Sequence, residues 1–269
     1  MKQGQRIGIF GGTFDPIHSG HLRAARLIER MFRLDKILFV PASVPPHKAR
    51  PDMAPAADRM KMVRLALGRR VRWTACSIEI RAAGPSFSIL TIDKLRRRFP
   101  RARFFFITGA DAFLEIRTWR EWKRVLANCP FIVMTRPGFD PESAARALGP
   151  AYREGIRRIK GQAWAAEVDH RATLGVPAAV KGRSFAAAQA ENEMETGRIF
   201  LASIDALPIS STGIRKLAGD GQSLAGFVPP AVAAHIRTQG LYQNRPVIQK
   251  GRQTRPKPEC AQRRTRTDP

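Results

Sequence analysis

Six short apolar runs, most of them closed by a glycine or proline turn and separated by stretches of helical period, constrain this chain more than any other feature. The runs are Arg6–Phe10, Lys36–Pro41, Val71–Ile80, Arg103–Thr108, Phe131–Thr135 and Arg198–Ile204. Between and after them, Ser19–Phe32, Ala56–Leu67, Ser88–Phe99, Pro141–Leu148, Ser211–Leu217 and Pro230–Gln239 read as helices. Leu22, Ala25, Ile28 and Phe32 recur at helical spacing in the first, and Met60, Val63 and Leu67 in the second. Near-continuous apolar strands want cover on both faces. Alternation with helices of this length predicts an α/β fold: a doubly wound, mainly parallel sheet with helices on both faces.

The chain has 269 residues, enough for one well-buried domain, which we place at residues 1–243. Gly155 to Ala190 is Ala-rich and without a clean period, so residues 155–197 read as an insertion, partly disordered or loosely helical. Asn244 to Pro269 carries eight Lys or Arg against two acidic residues and almost nothing apolar, the pattern of a basic disordered tail.

The formal net charge of +25 suits either a nucleic-acid partner or a basic enzyme that handles phosphorylated anions. Three cysteines, Cys76, Cys129 and Cys260, form no CxxC pair and argue against a disulfide framework or a cysteine zinc site. No apolar run reaches spanning length, and the first residues lack the order of a signal peptide. The expectation is a cytoplasmic protein with no membrane partner. A homo-oligomer is compatible with the sequence, which selects no oligomeric state.

Chemistry concentrates in two segments. Directly after the first strand stands Gly11-Gly12-Thr13-Phe14-Asp15-Pro16-Ile17-His18-Ser19-Gly20-His21. Glycines at a strand end let backbone N–H groups approach a ligand, and the helix that follows points its N-terminus at the same place, which suits phosphate. Two histidines three apart project side by side from a first helical turn. Gly20 between them is expected to leave room for a bulky ligand. A zinc site would need a third ligand, for which Asp15 is the one acid in the loop. No GK[ST] follows, so this is no Walker loop. The second segment, Ile209-Ser210-Ser211-Thr212-Gly213-Ile214-Arg215, follows a strand and opens a helix. Ser210 or Ser211 can cap it, and hydroxyls, N–H groups and the Arg215 fork make an anion site.

The His18-Ser19-Gly20-His21 signature resembles that of the HxGH nucleotidyltransferase superfamily, and the fuller GGTFDPxHxGH run resembles the nicotinate-nucleotide adenylyltransferase family in particular. Ile209–Arg215 resembles its ISSTxIR motif. Lys48 stands in a PPHK loop, Phe87 and Ser88 in a segment similar to PSYT, Asp111 in GxD, Trp119 in a TW pair and Arg136 in RPG. Phe87 and Ser88 depart from the Tyr and Thr of the pattern. The resemblance covers about Arg6 to Tyr242 and fails over 155–197 and the tail. It implies a Rossmann-like fold and transfer of AMP from ATP to nicotinate mononucleotide, giving deamido-NAD and pyrophosphate in NAD biosynthesis.

On the same resemblance His18, His21 and Arg215 would be catalytic. Gly11, Gly12, Thr13, Phe14, His18, His21, Lys48, Ile209, Ser210, Ser211, Thr212 and Arg215 would bind ATP. Asp15, Phe87, Ser88, Asp111, Trp119 and Arg136 would bind the mononucleotide. Mg²⁺ would ride on ATP, with no protein metal site. The substrate partners would be ATP and nicotinate mononucleotide, with no obligatory nucleic acid. Two other readings stay open: a nicotinamide mononucleotide adenylyltransferase, and a basic RNA-binding protein.

Overall fold

In the computed structural model the described residues are 4–45, 50–82, 84–135, 139–149, 152, 155–159, 199–205 and 207–243. Seven strands form one all-parallel sheet in the order β3-β2-β1-β4-β5-β7-β6. They are β1 (Arg6–Gly12), β2 (Lys36–Pro41), β3 (Trp73–Ala75), β4 (Arg103–Gly109), β5 (Phe131–Thr135), β6 (Ile156–Ile159) and β7 (Ile199–Ser203). The described helices are α1 (Ser19–Met31), α2 (Ala56–Leu67), α3 (Ser88–Arg98), α4 (Ala110–Leu114), α5 (Trp122–Asn128), α6 (Pro141–Leu148), α7 (Ser211–Gly219) and α8 (Pro230–Thr238), with a 3₁₀ turn at Ile116–Thr118.

Alternation of side chains along each strand builds two cores. On one face Phe10, Ile37, Phe39, Phe105, Ile107 and Phe200 meet Ala25 and Ile28 of α1, Val63 of α2, Ile214 of α7 and Ile236 of α8. On the other, Ile7, Ile9, Leu38, Phe104, Phe106 and Phe131 meet Ile92 of α3, Phe113 of α4, Val125 of α5 and Leu148 of α6. The doubly wound architecture read from the alternation is therefore the one found. After β1 the chain moves to β2 and β3, and after them it returns to β1's other side as β4. The reversal opens a crevice at the carboxyl ends of β1 and β4, the position where such sheets hold ligands.

Two expectations need correction. Val71–Ile80 was expected to be a full strand, yet only Trp73–Ala75 pairs with β2. Cys76 still donates to Phe39 O, but then Arg81 N–H turns back to Ser77 O at 3.0 Å and Ala82 N–H to Glu79 O at 3.0 Å. Ile78, within this turn, packs half-buried against the core that carries Ile7 and Phe106. The segment expected as an insertion from residue 155 also yields a strand: Ile156–Ile159 is β6, parallel to β7 at the sheet edge. Its Ile-Arg-Arg-Ile sequence is too short and charged to show a period, which suits an edge strand. Residues 160–198 and the basic tail lie outside the described residues, as do Lys48 and Arg136.

One buried side chain joins the crevice loops. Arg59 of α2 is fully buried. Its Nε donates to Ala54 O at 3.0 Å, Nη1 to Thr13 O at 2.9 Å and to Ala42 O, and Nη2 to Ser43 O at 2.8 Å. The loops after β1 and β2 thus share one guanidinium. Burial pulls its pKa below the usual arginine value, and the Asp15 charge opposes that. Arg59→Leu should remove about 3–5 kcal/mol of stability in urea unfolding, since four carbonyls, that of Ala54 buried and those of Thr13, Ala42 and Ser43 half-buried, lose their donor. A loss under about 1 kcal/mol would show that water replaces the guanidinium and the tie is dispensable.

Candidate active site

The crevice is a cleft of about 1080 Å³. The expected residues among those described all line it: Gly11, Gly12, Thr13, Phe14, Asp15, His18, His21, Phe87, Ser88, Asp111, Trp119, Ile209, Ser210, Ser211, Thr212 and Arg215. Residues about 190 positions apart in the chain meet because β1 and the segment after β7 end at the same rim of the sheet.

His18 is the N-cap of α1, and the pair forms a reciprocal capping box. His21 N–H donates to His18 Nδ1 at 3.4 Å, and His18 N–H donates to His21 Nδ1 at 3.3 Å. The rings stack with centroids 3.7 Å apart at 32°. An Nδ1 that accepts a backbone proton carries none itself, so each neutral ring has its proton on Nε2. Burial holds His18 at a pKa of about 4. His18 is therefore a neutral donor at pH 7, suited to developing charge on phosphate oxygens.

Gly20 plays a different part from the one expected. A Cβ there would meet His18 Cε1 and Nδ1 at 3.0 Å. The space is taken by the His18 ring, so glycine favours the capping box. Phe14, held at a left-handed φ of 49°, packs its ring edge-on to His21 at 5.2 Å.

Asp15 was expected at the mononucleotide, yet its buried carboxylate faces the protein. Oδ2 accepts from Arg50 Nη2 at 2.8 Å, and Oδ1 from Tyr242 Oη–H at 2.7 Å and Ala54 N–H at 3.1 Å. With three donors in place and 2% exposure, the group anchors the loop. Arg215 is likewise tied inward: Nη1 donates to Asp15 O at 2.8 Å and Nη2 to Thr212 Oγ1 at 3.0 Å. Ser211 Oγ–H donates to Pro16 O at 3.0 Å. Ser210 caps α7 by accepting from Gly213 N–H at 3.1 Å. The two motifs are thereby clasped together.

The other wall of the cleft is aromatic. Trp119 packs edge-on to Phe106, centroids 5.8 Å apart, and Arg120 lies 5.0 Å from the Phe87 ring centre. Phe87 is the N-cap of α3 without a side-chain cap bond; Leu90 N–H donates to Phe87 O at 3.0 Å, and the N–H groups of Ser88 and Ile89 come before the first helical acceptor. Sequence reasoning missed Glu79, which also lines the cleft. It accepts from Thr91 Oγ–H at 2.6 Å and from the Ser86 hydroxyl, and Ser86 Oγ in turn accepts from Ser43 N–H at 2.8 Å. Burial raises the Glu79 pKa above the usual carboxylate value, against those hydrogen bonds. Arg59 and Arg50 were missed too. A charged residue on the apolar stripe of α2, three before Met62, was the available signal for Arg59. Among the described residues no three His, Cys, Asp or Glu side chains converge as a metal site would need.

A crevice at a sheet switch point, with a histidine pair on one helix N-terminus and a serine-capped helix N-terminus beside it, defines a nucleotide-handling α/β protein. The cytidylyltransferase-like family model matches residues 9–217. A probable nicotinate-nucleotide adenylyltransferase of Desulfatibacillum aliphaticivorans is 39% identical over 88% of this chain and 99% of its own. Another, from a strain of Thermus thermophilus, is 35% identical over 88% and 100%. Among solved structures, Plasmodium falciparum nicotinic acid mononucleotide adenylyltransferase complexed with NaAD superposes with a TM-score of 0.59 at 16% identity, covering 88% of this chain and 97% of that one. At that identity it speaks for the fold. The chain belongs to the nicotinate-nucleotide adenylyltransferase family within the cytidylyltransferase-like group.

Neutral buried His18 fixes a pH dependence. Its folded pKa is about 4 against 6.5 when exposed, so between those values the unfolded chain binds the extra proton. Folding stability is fully retained above pH 6.5 and falls by about 1.4 kcal/mol per pH unit below it. The stability gap between wild type and His18→Gln should therefore shrink by about 2 kcal/mol from about pH 7 to about pH 5 in urea titrations. An unchanged gap would mean that His18 charges in the folded protein.

Proposed function

We propose that this protein transfers the adenylyl group of ATP to the 5′-phosphate of nicotinate mononucleotide, forming the deamido dinucleotide and releasing pyrophosphate. The observation that carries the reading is the stacked pair of His18 and His21, fixed at the rim where β1 and the N-terminus of α7 meet. Family membership supplies the substrate class.

The attacking group is a phosphate oxygen of the mononucleotide. With a second pKa of about 6 it is largely dianionic at pH 7, so no general base is required. It forms a bond to the α-phosphorus of ATP while the bond from that phosphorus to the β-bridging oxygen breaks, and pyrophosphate leaves. His18 and His21 offer Nε2–H donors to the charge that grows on the α-phosphate. The Ser211 end of α7 and the Arg215 side hold the β- and γ-phosphates by helix N–H groups and positive charge. Mg²⁺ carried by ATP would neutralise part of the triphosphate charge. The work is alignment and charge stabilisation.

The pyridine ring belongs against Trp119, with its carboxylate at the Ser88 and Ile89 N–H groups that begin α3. Among the described residues Glu79 is the feature that would suit an amide N–H₂, but its carboxylate is already held by Thr91 and Ser86, while N–H donors at the start of α3 suit a ring carboxylate. We place the reaction in the cytoplasm, in keeping with the free thiols of Cys76 and Cys129.

His21→Ala should lower kcat at least about a hundredfold with the circular dichroism spectrum unchanged, the scale of losing one oxyanion donor. A folded, fully active variant would remove His21 from the mechanism. Pyrophosphate release with the nicotinate form should exceed that with the nicotinamide form. Equal or reversed rates would reassign the acceptor while leaving the adenylyl transfer in place.

A further inference from the structure

Arg50 stands in no motif that the function has used. It follows the β2 loop and lines the same cleft as His18, His21 and Arg215. One edge of its guanidinium is fixed, with Nη2 on Asp15 Oδ2 at 2.8 Å and Nε 3.7 Å from Asp52 Oδ1. Its side chain remains 35% exposed, so a cation is held rigidly from behind while part of it faces solvent in the cleft. Charges around the loop do not balance. Three guanidinium groups, of Arg50, Arg59 and Arg215, meet the carboxylates of Asp15 and Asp52, and Asp52 is 64% exposed. Arg59 is engaged wholly by carbonyls. After burial, the Arg50 charge is the next influence that lowers the Arg215 pKa, so the two cations act on one another. An anion between or above them removes that repulsion.

We infer that Arg50 is a further binding residue for the phosphate chain of ATP, held in place by Asp15. The inference rests on the ATP site proposed above and adds a ligand to it. Asp15 is then a positioning residue: its carboxylate takes three donors, one of them the hydroxyl of Tyr242 from the end of the described chain, so that the Arg50 fork has one orientation. A pre-oriented arginine loses less freedom on binding phosphate than a solvated one.

The test is calorimetric titration of Mg-ATP, of inorganic pyrophosphate and of nicotinate mononucleotide, each alone, into the full chain with Arg50, with Arg50→Lys and with Arg50→Gln. Arg50→Gln should weaken ATP and pyrophosphate about tenfold or more, the scale of one charge-assisted contact, and change the mononucleotide less than about twofold. Arg50→Lys should recover part of the ATP loss, since the charge returns without the fork. ATP affinity unchanged in Arg50→Gln, with wild type binding normally, would overturn the role of Arg50 alone. Equal losses for ATP and mononucleotide would also overturn it, as the mark of a collapsed loop. A wild-type chain that binds the mononucleotide and no ATP would overturn the ATP site itself, and Arg50's role with it.

Discussion

The site depends on a guanidinium buried without a hydrogen-bonded carboxylate. Taking an arginine out of water is costly, and the cost is offset only if its N–H groups find acceptors with good geometry. Arg59 finds carbonyls from three places: Thr13 after β1, Ala42 and Ser43 after β2, and Ala54 ahead of α2. Those carbonyls, one buried and three half-buried, also gain donors, because they stand in loops behind a cleft with no sheet or helix to pair with. Each side of the arrangement satisfies the other. The Asp15 charge then lies close enough to favour the cation, and Asp15 in turn gathers Arg50, Ala54 and Tyr242. The loop that carries the histidines is thus fixed from below by the buried Arg59, which is spent wholly on backbone.

The same frame explains why the histidines are paired as they are. A capping box usually joins a hydroxyl to an acid or amide. Here imidazole replaces both partners, which assigns both Nδ1 atoms to the backbone. The arrangement favours Gly20, because a Cβ would crowd the His18 ring at 3.0 Å and push it out of place by a few tenths of an ångström. Neutrality of His18 follows from burial. The protein thereby separates two electrostatic tasks. Fixed positive charge in the cleft comes from arginine, while His18 at the start of α1 is polar but uncharged at neutral pH. Donors of that kind strengthen as charge develops and need no proton transfer.

Much of this was legible in the sequence because it rests on local signals. Strand, glycine turn and helix follow one another within residues 6–21, and a serine before a helix at 210–211 is a cap wherever it occurs. Both motifs fell where expected, and the sheet followed from the alternation of runs. What could not be read depends on partners far along the chain. Asp15 looks like a ligand in a loop until Tyr242, 227 residues later, is found donating to it. Arg59 looks like one polar position on α2 until two loops close over it. The short strand Ile156–Ile159 carries no period of its own and exists because β7 offers an edge. Glu79, in a stretch that reads as strand, is placed by the turn that ends β3.

A parallel sheet with reversed strand order has one rim where both of its faces open on a single space. The two cores supply different chemistry to it. From the face of α1 and α7 come the histidines, the capped helix and the arginine side, and from the face of α3 to α6 come Phe87 and Trp119. A dinucleotide-forming reaction has the same division, since a polyanion and an aromatic ring must be held apart and joined at one phosphorus atom. Phosphate is best met by N–H groups and cations on a polar wall, and a pyridine ring by an aromatic wall that excludes water. Placing the two walls on opposite faces lets each be packed independently against its own core. The histidine pair, at the end of the central strand β1, is then the natural meeting point.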